Sequence, residues 1–195
     1  MRERMFHIPD ILGTVRRNRE SGKVAGFALN CLKEFACVKT ELLDLKEMNL
    51  PMLEERLRFR DDAPPSVTAF SETIKRADAI VIVAPEYSGG YPGVLKNALD
   101  YLKDEYRRKP FGIITVSAAD TGGILCLAAL RQVVLHLGGV PIPASLLVAR
   151  VQESFDTQGR PSDPGMAKRA KAYFDELLWF AEAFATQKKK GSFTS

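Results

Sequence analysis

The sequence has few of the residues that build metal centres or disulfide frameworks. Its 195 residues include three cysteines and two histidines. Cys31, Cys37 and Cys126 show no C-x-x-C spacing, and His7 and His136 lie far apart along the chain. We therefore expect reduced, mostly buried thiols in a cytoplasmic protein, and no metal site.

Long hydrophobic runs are also absent. The longest apolar run covers residues 122–130 and ends at Arg131, well short of the ~18 residues that indicate a membrane span. Residues 1–9 contain neither the apolar region nor the small-residue cleavage site of a secretory signal. The sequence thus predicts a cytoplasmic protein without a membrane partner.

Length and composition predict one folded domain. With 46% hydrophobic and 27% charged residues, the chain is close to the globular average, which excludes collagen-like and fully disordered classes. We expect a single domain over residues 1–187, because a second core would have little chain left to form it. The basic residues 188–190 begin an end segment, 188–195, that we expect to be disordered.

The excess of positive charge is small and local. The chain has 28 Lys and Arg against 24 Asp and Glu, a net charge of +4. Part of this excess lies in Arg16, Arg17, Arg19 and Lys23, which accompany only one acid, Glu20. A nucleic-acid-binding protein would show a wider basic face interleaved with aromatic residues. We therefore expect no nucleic-acid partner.

Short apolar runs alternate with segments of helical period. The predicted strands cover residues 8–12, 38–43, 79–84, 111–117 and 140–151. The predicted helices cover residues 24–35 (with Ser21 as N-cap), 67–74, 92–102, 124–137 and 164–184. Five such units predict a doubly wound α/β domain, with a five-stranded parallel sheet and helices on both faces.

Sheets of this class bind ligands beyond the carboxyl ends of their strands, where the strand order reverses. The first such loop, residues 13–23, leads into a helix N-terminus, which favours an anion. Thr14 and Ser21 add hydroxyl groups, and Arg16 and Arg19 add guanidinium groups. The loop has neither the G-x-x-x-x-G-K-[ST] nor the G-x-G-x-x-G motif. It therefore favours a monophosphate over an exposed basic turn.

The second loop, residues 85–93, follows a buried strand and contains two tyrosines and three glycines. This composition allows a flat ligand to lie against the backbone. A tight turn with two packed tyrosines explains it equally well, so composition alone leaves both interpretations open.

The same segment carries a long resemblance. Residues 85–102, P-E-Y-S-G-G-Y-P-G-V-L-K-N-A-L-D-Y-L, closely resemble the P-E-Y-N-x-x-x-P-G-x-L-K-N-A-x-D-W-L stretch of the NADPH-dependent FMN reductase family. Residues 13–16 resemble that family's G-S/T-x-R loop, Gly122 and Gly123 its third-loop glycine pair, and residues 151–159 the stretch before its last helix. The family has the flavodoxin-like fold and includes quinone, chromate and azo-dye reductases.

The resemblance implies FMN as cofactor, NADPH or NADH as electron donor, and a small-molecule electron acceptor such as a quinone, flavin, azo compound or metal oxyanion. It implies the following cofactor-binding residues: Thr14, Arg16, Arg19 and Ser21 at the phosphate; Pro85, Glu86, Tyr87, Ser88 and Gly89 along the ring; and Ser117, Asp120, Thr121, Gly122 and Gly123 in the third loop. No catalytic triad or general acid is expected, because the flavin supplies the reactivity. Ser88 departs from the family's usual Asn.

Two further expectations concern partners and alternatives. Residues 124–137 form a helix that is apolar on all sides, so both of its sides must be buried against other parts of the protein. A subunit interface would bury the second side, which predicts a homodimer or homotetramer. The alternative function is a flavodoxin-type FMN-binding electron carrier without nicotinamide-dependent activity. Such carriers tend to be acidic, and the basic charge of this chain favours the reductase.

Overall fold

The computed structural model describes residues 4–191 and consists of a parallel sheet between two layers of helices. The strands are β1 (Phe6–His7), β2 (Asp10–Leu12), β3 (Val38–Lys39), β4 (Leu42–Asp44), β5 (Ile80–Pro85), β6 (Pro110–Val116), β7 (Val140–Pro141) and β8 (Leu146–Val148). The main sheet has the order β4-β2-β5-β6, and β7 and β8 both pair with the outer side of β6. The short strands β1 and β3 pair with each other.

Prolines divide two of the five predicted strands. Pro9 separates β1 from β2, and Pro143 lies between β7 and β8, because proline has no N–H group to donate to a ladder. The second predicted strand is also divided, into β3 and β4. If each divided strand is counted once and the five strands are numbered along the chain, their order in the sheet is 2-1-3-4-5. This is the order of flavodoxin-like sheets. The predicted fold class is confirmed.

The helices cover both faces of the sheet. They are α1 (Ser21–Lys33), α2 (Leu45–Met48), α3 (Pro65–Arg76), α4 (Gly93–Asp100), α5 (Ile124–His136), α6 (Val151–Ser154) and α7 (Gly165–Lys190). Residues of α1 and α7 form one hydrophobic cluster with Val81 and Val83 of β5. Residues of α3, α4 and α5 form the other with Ile80 and Ile82. All six residues of β5 are buried, as expected for a strand covered on both faces.

Two helix ends differ from the sequence-based expectation. Ser21 is the first residue of α1 and not its N-cap, a position that Glu20 occupies without a side-chain hydrogen bond. At the other end of the chain, α7 continues through Lys190, whereas a disordered tail was expected from Lys188. Ala185 still packs against the core, and the lysines that follow are good helix formers that suit a helix C-terminus. Residues 192–195 of the expected tail lie outside the described residues.

The outer face of α5 is exposed in the single chain. Leu127, Leu130 and Val134 are buried in the core, whereas Leu125 and Leu135 are 56% and 61% exposed. One side of this apolar helix is therefore covered by the sheet and the other by nothing within residues 4–191.

Across the same described range, none of the helices combines the length and the apolar character needed to cross a membrane.

Candidate functional site

A cavity of about 220 Å³ lies at the carboxyl ends of β2, β5 and β6. The loops that follow these three strands form its walls, together with the start of α6. The lining residues are Arg16, Asn18, Arg19, Glu20, Ser21, Pro85, Glu86, Tyr87, Val116, Ser117, Ala118, Val151 and Gln152. The structure thus brings residues of all three predicted loops to one cavity, at the position where doubly wound sheets bind their ligands.

The N-terminus of α1 presents unpaired donors to this cavity. The Ser21 hydroxyl is buried and has no hydrogen-bond partner within residues 4–191. The backbone N–H groups of Arg19, Glu20 and Ser21 also make no hydrogen bond among the described residues. Buried polar groups are almost always paired, so an orphaned hydroxyl beside a positive helix end indicates an anionic ligand. A phosphate group fits these residues.

Arg19 has two of its nitrogen atoms engaged by the protein. Its Nη1 donates to the carbonyl oxygen of Thr14 at 2.6 Å, and its Nη2 forms an ion pair with Asp44 at the end of β4. Both side chains of the ion pair are mostly buried. The sequence-based expectation assigned Arg19 to the phosphate alone. The structure adds a second role, because Arg19 ties the first loop to the neighbouring strand.

The second loop contains a tight two-residue turn. Tyr87 and Gly90 exchange backbone hydrogen bonds at 2.8 and 3.0 Å. Ser88 and Gly89 between them have φ values of 50° and 77°. Positive φ at both central positions is the type I′ geometry, which favours Asn-Gly sequences. The turn places Tyr87 on the cavity wall, while Ser88 and Gly89 are exposed and do not line the cavity.

The first and second loops are joined by side chains. The hydroxyl groups of Thr14 and Tyr87 lie 2.9 Å apart, and the backbone N–H of Arg16 donates to the Thr14 hydroxyl at 3.3 Å. The guanidinium carbon of Arg16 lies 5.9 Å from the centroid of the Tyr87 ring. Thr14 is buried and does not line the cavity. It therefore acts on the site through Tyr87 and the loop backbone.

The third loop enters α5 through two glycines with positive φ, Gly122 and Gly123. A Cβ atom at Gly122 would lie 2.7 Å from the Cβ of Leu147, and one at Gly123 would lie 3.0 Å from the Cβ of Thr115. The Thr115 hydroxyl also donates to the Gly122 carbonyl at 2.7 Å. Close packing and backbone conformation therefore both require glycine at these positions.

Four predicted residues of the third loop do not line the cavity. Gly122 and Gly123 are buried behind it, and Thr121 is exposed. Asp120 is also exposed and forms an ion pair with Arg150, and this hydrogen bond holds the pKa of the Asp120 carboxyl below its usual value. Only Ser117 of this group reaches the cavity wall.

The structure also adds residues that sequence reasoning did not name as site residues. These are Asn18, Glu20, Val116, Ala118, Val151 and Gln152. Val151 and Gln152 begin α6, within the segment 151–159 that resembles the family. That resemblance was the one signal that could have assigned them to the site.

Comparisons with known proteins agree with this architecture. The sequence model of the NADPH-dependent FMN reductase family matches residues 8–153. A quinone reductase from Escherichia coli is 32% identical over 137 residues, covering 68% of this chain and 71% of the relative. An FMN-dependent NADPH-azoreductase from Staphylococcus aureus is 27% identical over 178 residues, covering 87% of this chain and 92% of the relative.

Solved structures show the same fold. The flavoenzyme NAD(P)H:(acceptor) oxidoreductase FerB from Paracoccus denitrificans superposes with a TM-score of 0.80 at 24% identity, covering 92% of this chain and 99% of that one. A doubly wound sheet with a cavity at its switch point defines the general class of the protein. The family match over residues 8–153 is more specific: this chain belongs to the NADPH-dependent FMN reductase family.

Proposed function

We propose that this protein is an FMN-dependent NAD(P)H oxidoreductase that passes electrons to a small-molecule acceptor. The observation that carries the proposal is the buried, unpartnered hydroxyl of Ser21 beside the free backbone N–H groups of residues 19–21. This donor set lies in the cavity formed by the loops whose sequences resemble the FMN reductase family. Membership of that family supports both the cofactor and the class of reaction.

The first loop would hold the FMN phosphate. Ser21 supplies a hydroxyl donor, and the N–H groups at the start of α1 supply backbone donors. Arg16 lines the cavity with an exposed side chain and adds a positive charge. Arg19 adds charge from a fixed position, because Thr14 and Asp44 hold its guanidinium group.

The second and third loops would orient the isoalloxazine ring. Pro85, Glu86 and Tyr87 lie on one wall of the cavity, and Ser117 and Ala118 lie on another. When bound, FMN supplies the chemistry: it accepts a hydride from the nicotinamide and transfers electrons to the acceptor. The contribution of the protein is to place the ring between these walls at the geometry that transfer needs. The predicted residues that do not line the cavity would act on the cofactor through the shape of the loops. They are Ser88, Gly89, Asp120, Thr121, Gly122 and Gly123.

The names of relatives support a small organic acceptor. Relatives are called quinone reductase and FMN-dependent NADPH-azoreductase. In this chain Ser88 and Gly89 form the tip of the second loop, and a Cβ atom at Gly89 or Gly90 would meet no atom closer than 3.7 Å. The open loop tip supports an acceptor site that admits ring systems of different shapes.

Oligomeric state and location are part of the same proposal. The exposed apolar residues Ile124, Leu125 and Leu135 on α5 support a homodimer or homotetramer in which a second copy covers this helix. The three cysteines are unpaired, which supports a reducing compartment such as the cytoplasm. We further propose that the chain up to the end of α7 forms one FMN-binding domain.

The visible spectrum of the purified protein tests the proposal. The protein is mixed with FMN, desalted, and treated with NADPH under anaerobic conditions. We expect retained yellow colour that bleaches promptly, and return of the colour when a quinone is added. Loss of all colour on desalting, together with no catalysed NADPH oxidation in the presence of free FMN, would contradict the proposal. Retained colour that NADPH does not bleach would instead indicate an electron carrier.

A further inference from the structure

Helix α5 begins without a capping side chain of its own. Its N-cap residue is Gly123, which has no side chain to accept a hydrogen bond. The first N–H groups of a helix lack partners within that helix and need acceptors from elsewhere. Glu86, in the second loop, provides one: its Oε2 accepts from the backbone N–H groups of Leu125 at 3.0 Å and Cys126 at 3.1 Å.

Glu86 is held firmly in place for this contact. Its backbone N–H donates to the Val116 carbonyl at 2.9 Å and so extends the pairing of β5 with β6 by one residue. A second link runs parallel to the carboxylate, since the Cys126 thiol donates to the carbonyl of Pro85 at 3.7 Å. The start of α5 is therefore attached to the second loop at two adjacent residues.

The same residue, Glu86, lines the candidate cofactor site. Glu86 and Glu20 are the two acidic residues that line the cavity. Glu20 is neutralised by Lys23 at 2.6 Å. Glu86 forms no salt bridge within residues 4–191, and its contacts there are backbone N–H groups. Glu86 thus brings a negative charge to the cavity wall and also offsets the positive end of α5.

We propose that the charge of Glu86 lowers the reduction potential of bound FMN. Reduced FMN is more negative than oxidised FMN, so a nearby carboxylate disfavours the reduced form. The carboxylate also cancels the positive end of α5, which would otherwise stabilise the added charge. A lower potential makes the reduced cofactor a stronger donor to the acceptor. This inference rests on the proposed function.

Glu86→Gln separates the charge of this residue from its capping role. Glutamine has the same length and keeps an oxygen that accepts from the N–H groups of Leu125 and Cys126, but it carries no charge. We expect the equilibrium ratio of reduced to oxidised FMN, at a given potential, to be about tenfold higher in this variant than in the wild type. For a two-electron couple, a tenfold change corresponds to a potential higher by about 30 mV.

The experiment is an equilibrium redox titration of the FMN-loaded protein against a reference dye. Glu86→Asp keeps the charge with a shorter reach. We expect its equilibrium ratio of reduced to oxidised FMN to remain within a factor of two of the wild-type ratio. Glu72→Gln makes the same charge change on an exposed face of α3, away from the cavity, and we expect no shift. Where a variant loses FMN on purification, the ratio of its dissociation constants for oxidised and reduced FMN gives the same quantity.

Each outcome decides the inference. A higher potential in Glu86→Gln alone supports it. An unchanged potential in Glu86→Gln, an equal shift in Glu72→Gln, or an equal shift in Glu86→Asp would each overturn it, because the charge of Glu86 would then not be the cause. Failure of the wild-type protein to bind FMN would overturn the proposed function, which is a separate and distinguishable result.

Discussion

The hydroxyl oxygens of Thr14 and Tyr87 lie 2.9 Å apart and join two loops that are distant in the sequence. Thr14 is buried at the start of the first loop, where its carbonyl oxygen also accepts from Arg19. Tyr87 lines the cavity from the second loop. Through this pair, the loop that would bind phosphate and the loop that would bind the ring are held in a fixed relation.

Removing the phenolic hydroxyl tests this coupling. We expect Tyr87→Phe to weaken FMN binding about fivefold, since a hydrogen bond of this kind contributes ~1 kcal/mol. Titration of FMN fluorescence measures the dissociation constant. The control is Tyr91→Phe, in the same loop, whose hydroxyl makes no hydrogen bond with any described residue. Equal effects of the two substitutions would show that the Thr14 contact does not hold the site.

The Ser21 hydroxyl provides a test of the phosphate site. We expect Ser21→Ala to weaken FMN binding at least about tenfold, because hydrogen bonds to charged groups contribute ~1.5–3 kcal/mol. Riboflavin, which lacks the phosphate, should bind both proteins equally. The unliganded variant should be at least as stable as the wild type, because the hydroxyl has no partner among residues 4–191.

Ser71→Ala is the matched control for this substitution. Ser71 is also a buried serine, but its hydroxyl donates to Glu105 at 3.3 Å on the far side of the sheet from α1. We expect it to leave FMN affinity unchanged. Equal loss of FMN and riboflavin affinity in Ser21→Ala would mean that Ser21 supports the ring or the fold and does not contact the phosphate.

The turn in the second loop explains why the family usually has asparagine at the position of Ser88. Ser88 has a φ of 50° at the first central position of the turn, a conformation that asparagine and glycine adopt more easily. Asparagine is the residue that the family usually has here. We expect Ser88→Asn to raise the free energy of unfolding by ~0.5 kcal/mol, or about 1–2 °C in melting temperature. Ser88→Ala, which lacks this preference, should show no gain, and a lower melting temperature in Ser88→Asn would contradict the argument.

The sequence predicted the parts of this structure that depend on local pattern. The buried run of β5 identified a strand, because burial on both faces leaves a continuous apolar signature. The composition of the loop after it left a ligand-binding segment and a tight turn equally open. The division of the first strand at Pro9 was not predicted, although the sequence contains the signal for it, since proline interrupts the hydrogen-bond ladder of a sheet. The family motif then supplied the cofactor that composition alone did not identify.

What the sequence did not predict depends on contacts between distant segments. Arg19 pairs with Asp44 because β2 and β4 are neighbours in the sheet, and their pairing is a property of the topology. Glu86 caps α5 because β5 and β6 end side by side. No local pattern around either residue identifies its partner.

The three cysteines should differ in reactivity. Burial is the main cause that raises the pKa of the Cys126 thiol to about 12 and that of Cys31 to about 11, so both remain protonated at pH 8. Cys37 is only partly buried. We expect iodoacetamide at pH 8 to modify Cys37 rapidly and the other two slowly, as read by peptide mass spectrometry.

Two controls accompany the thiol measurement. Cys37→Ser should remove the rapid phase, and urea should make all remaining cysteines react at similar rates. Rapid modification of Cys126 in the folded protein would contradict its burial against Pro85 at the base of the second loop.

Asp10 is a carboxylic acid in the core, and it should make stability depend on pH. It lies on β2, is fully buried, and neither carboxyl oxygen has a hydrogen-bond partner among the described residues. Burial raises the pKa of Asp10 well above its usual value, and burial together with Asp10 raises the pKa of Tyr173 nearby. The folded protein therefore keeps a proton on Asp10 that the unfolded chain releases above pH ~4.

The sign of the effect follows from this difference. Between pH ~4 and the raised pKa, the folded state binds one more proton than the unfolded state, so the free energy of unfolding falls as pH rises.

Asp10→Asn has nearly the same shape and cannot ionise. We expect urea unfolding to show that this variant gains stability relative to the wild type between pH 4.5 and pH 8. Asp62→Asn is the control, because the hydrogen bond from Arg60 lowers the pKa of exposed Asp62, so its stability difference from the wild type should change only below pH ~4 and stay constant between pH 4.5 and pH 8. A constant difference between Asp10→Asn and the wild type across this range would show that Asp10 ionises normally in the folded protein, and that its carboxylate has a partner or solvent contact in solution.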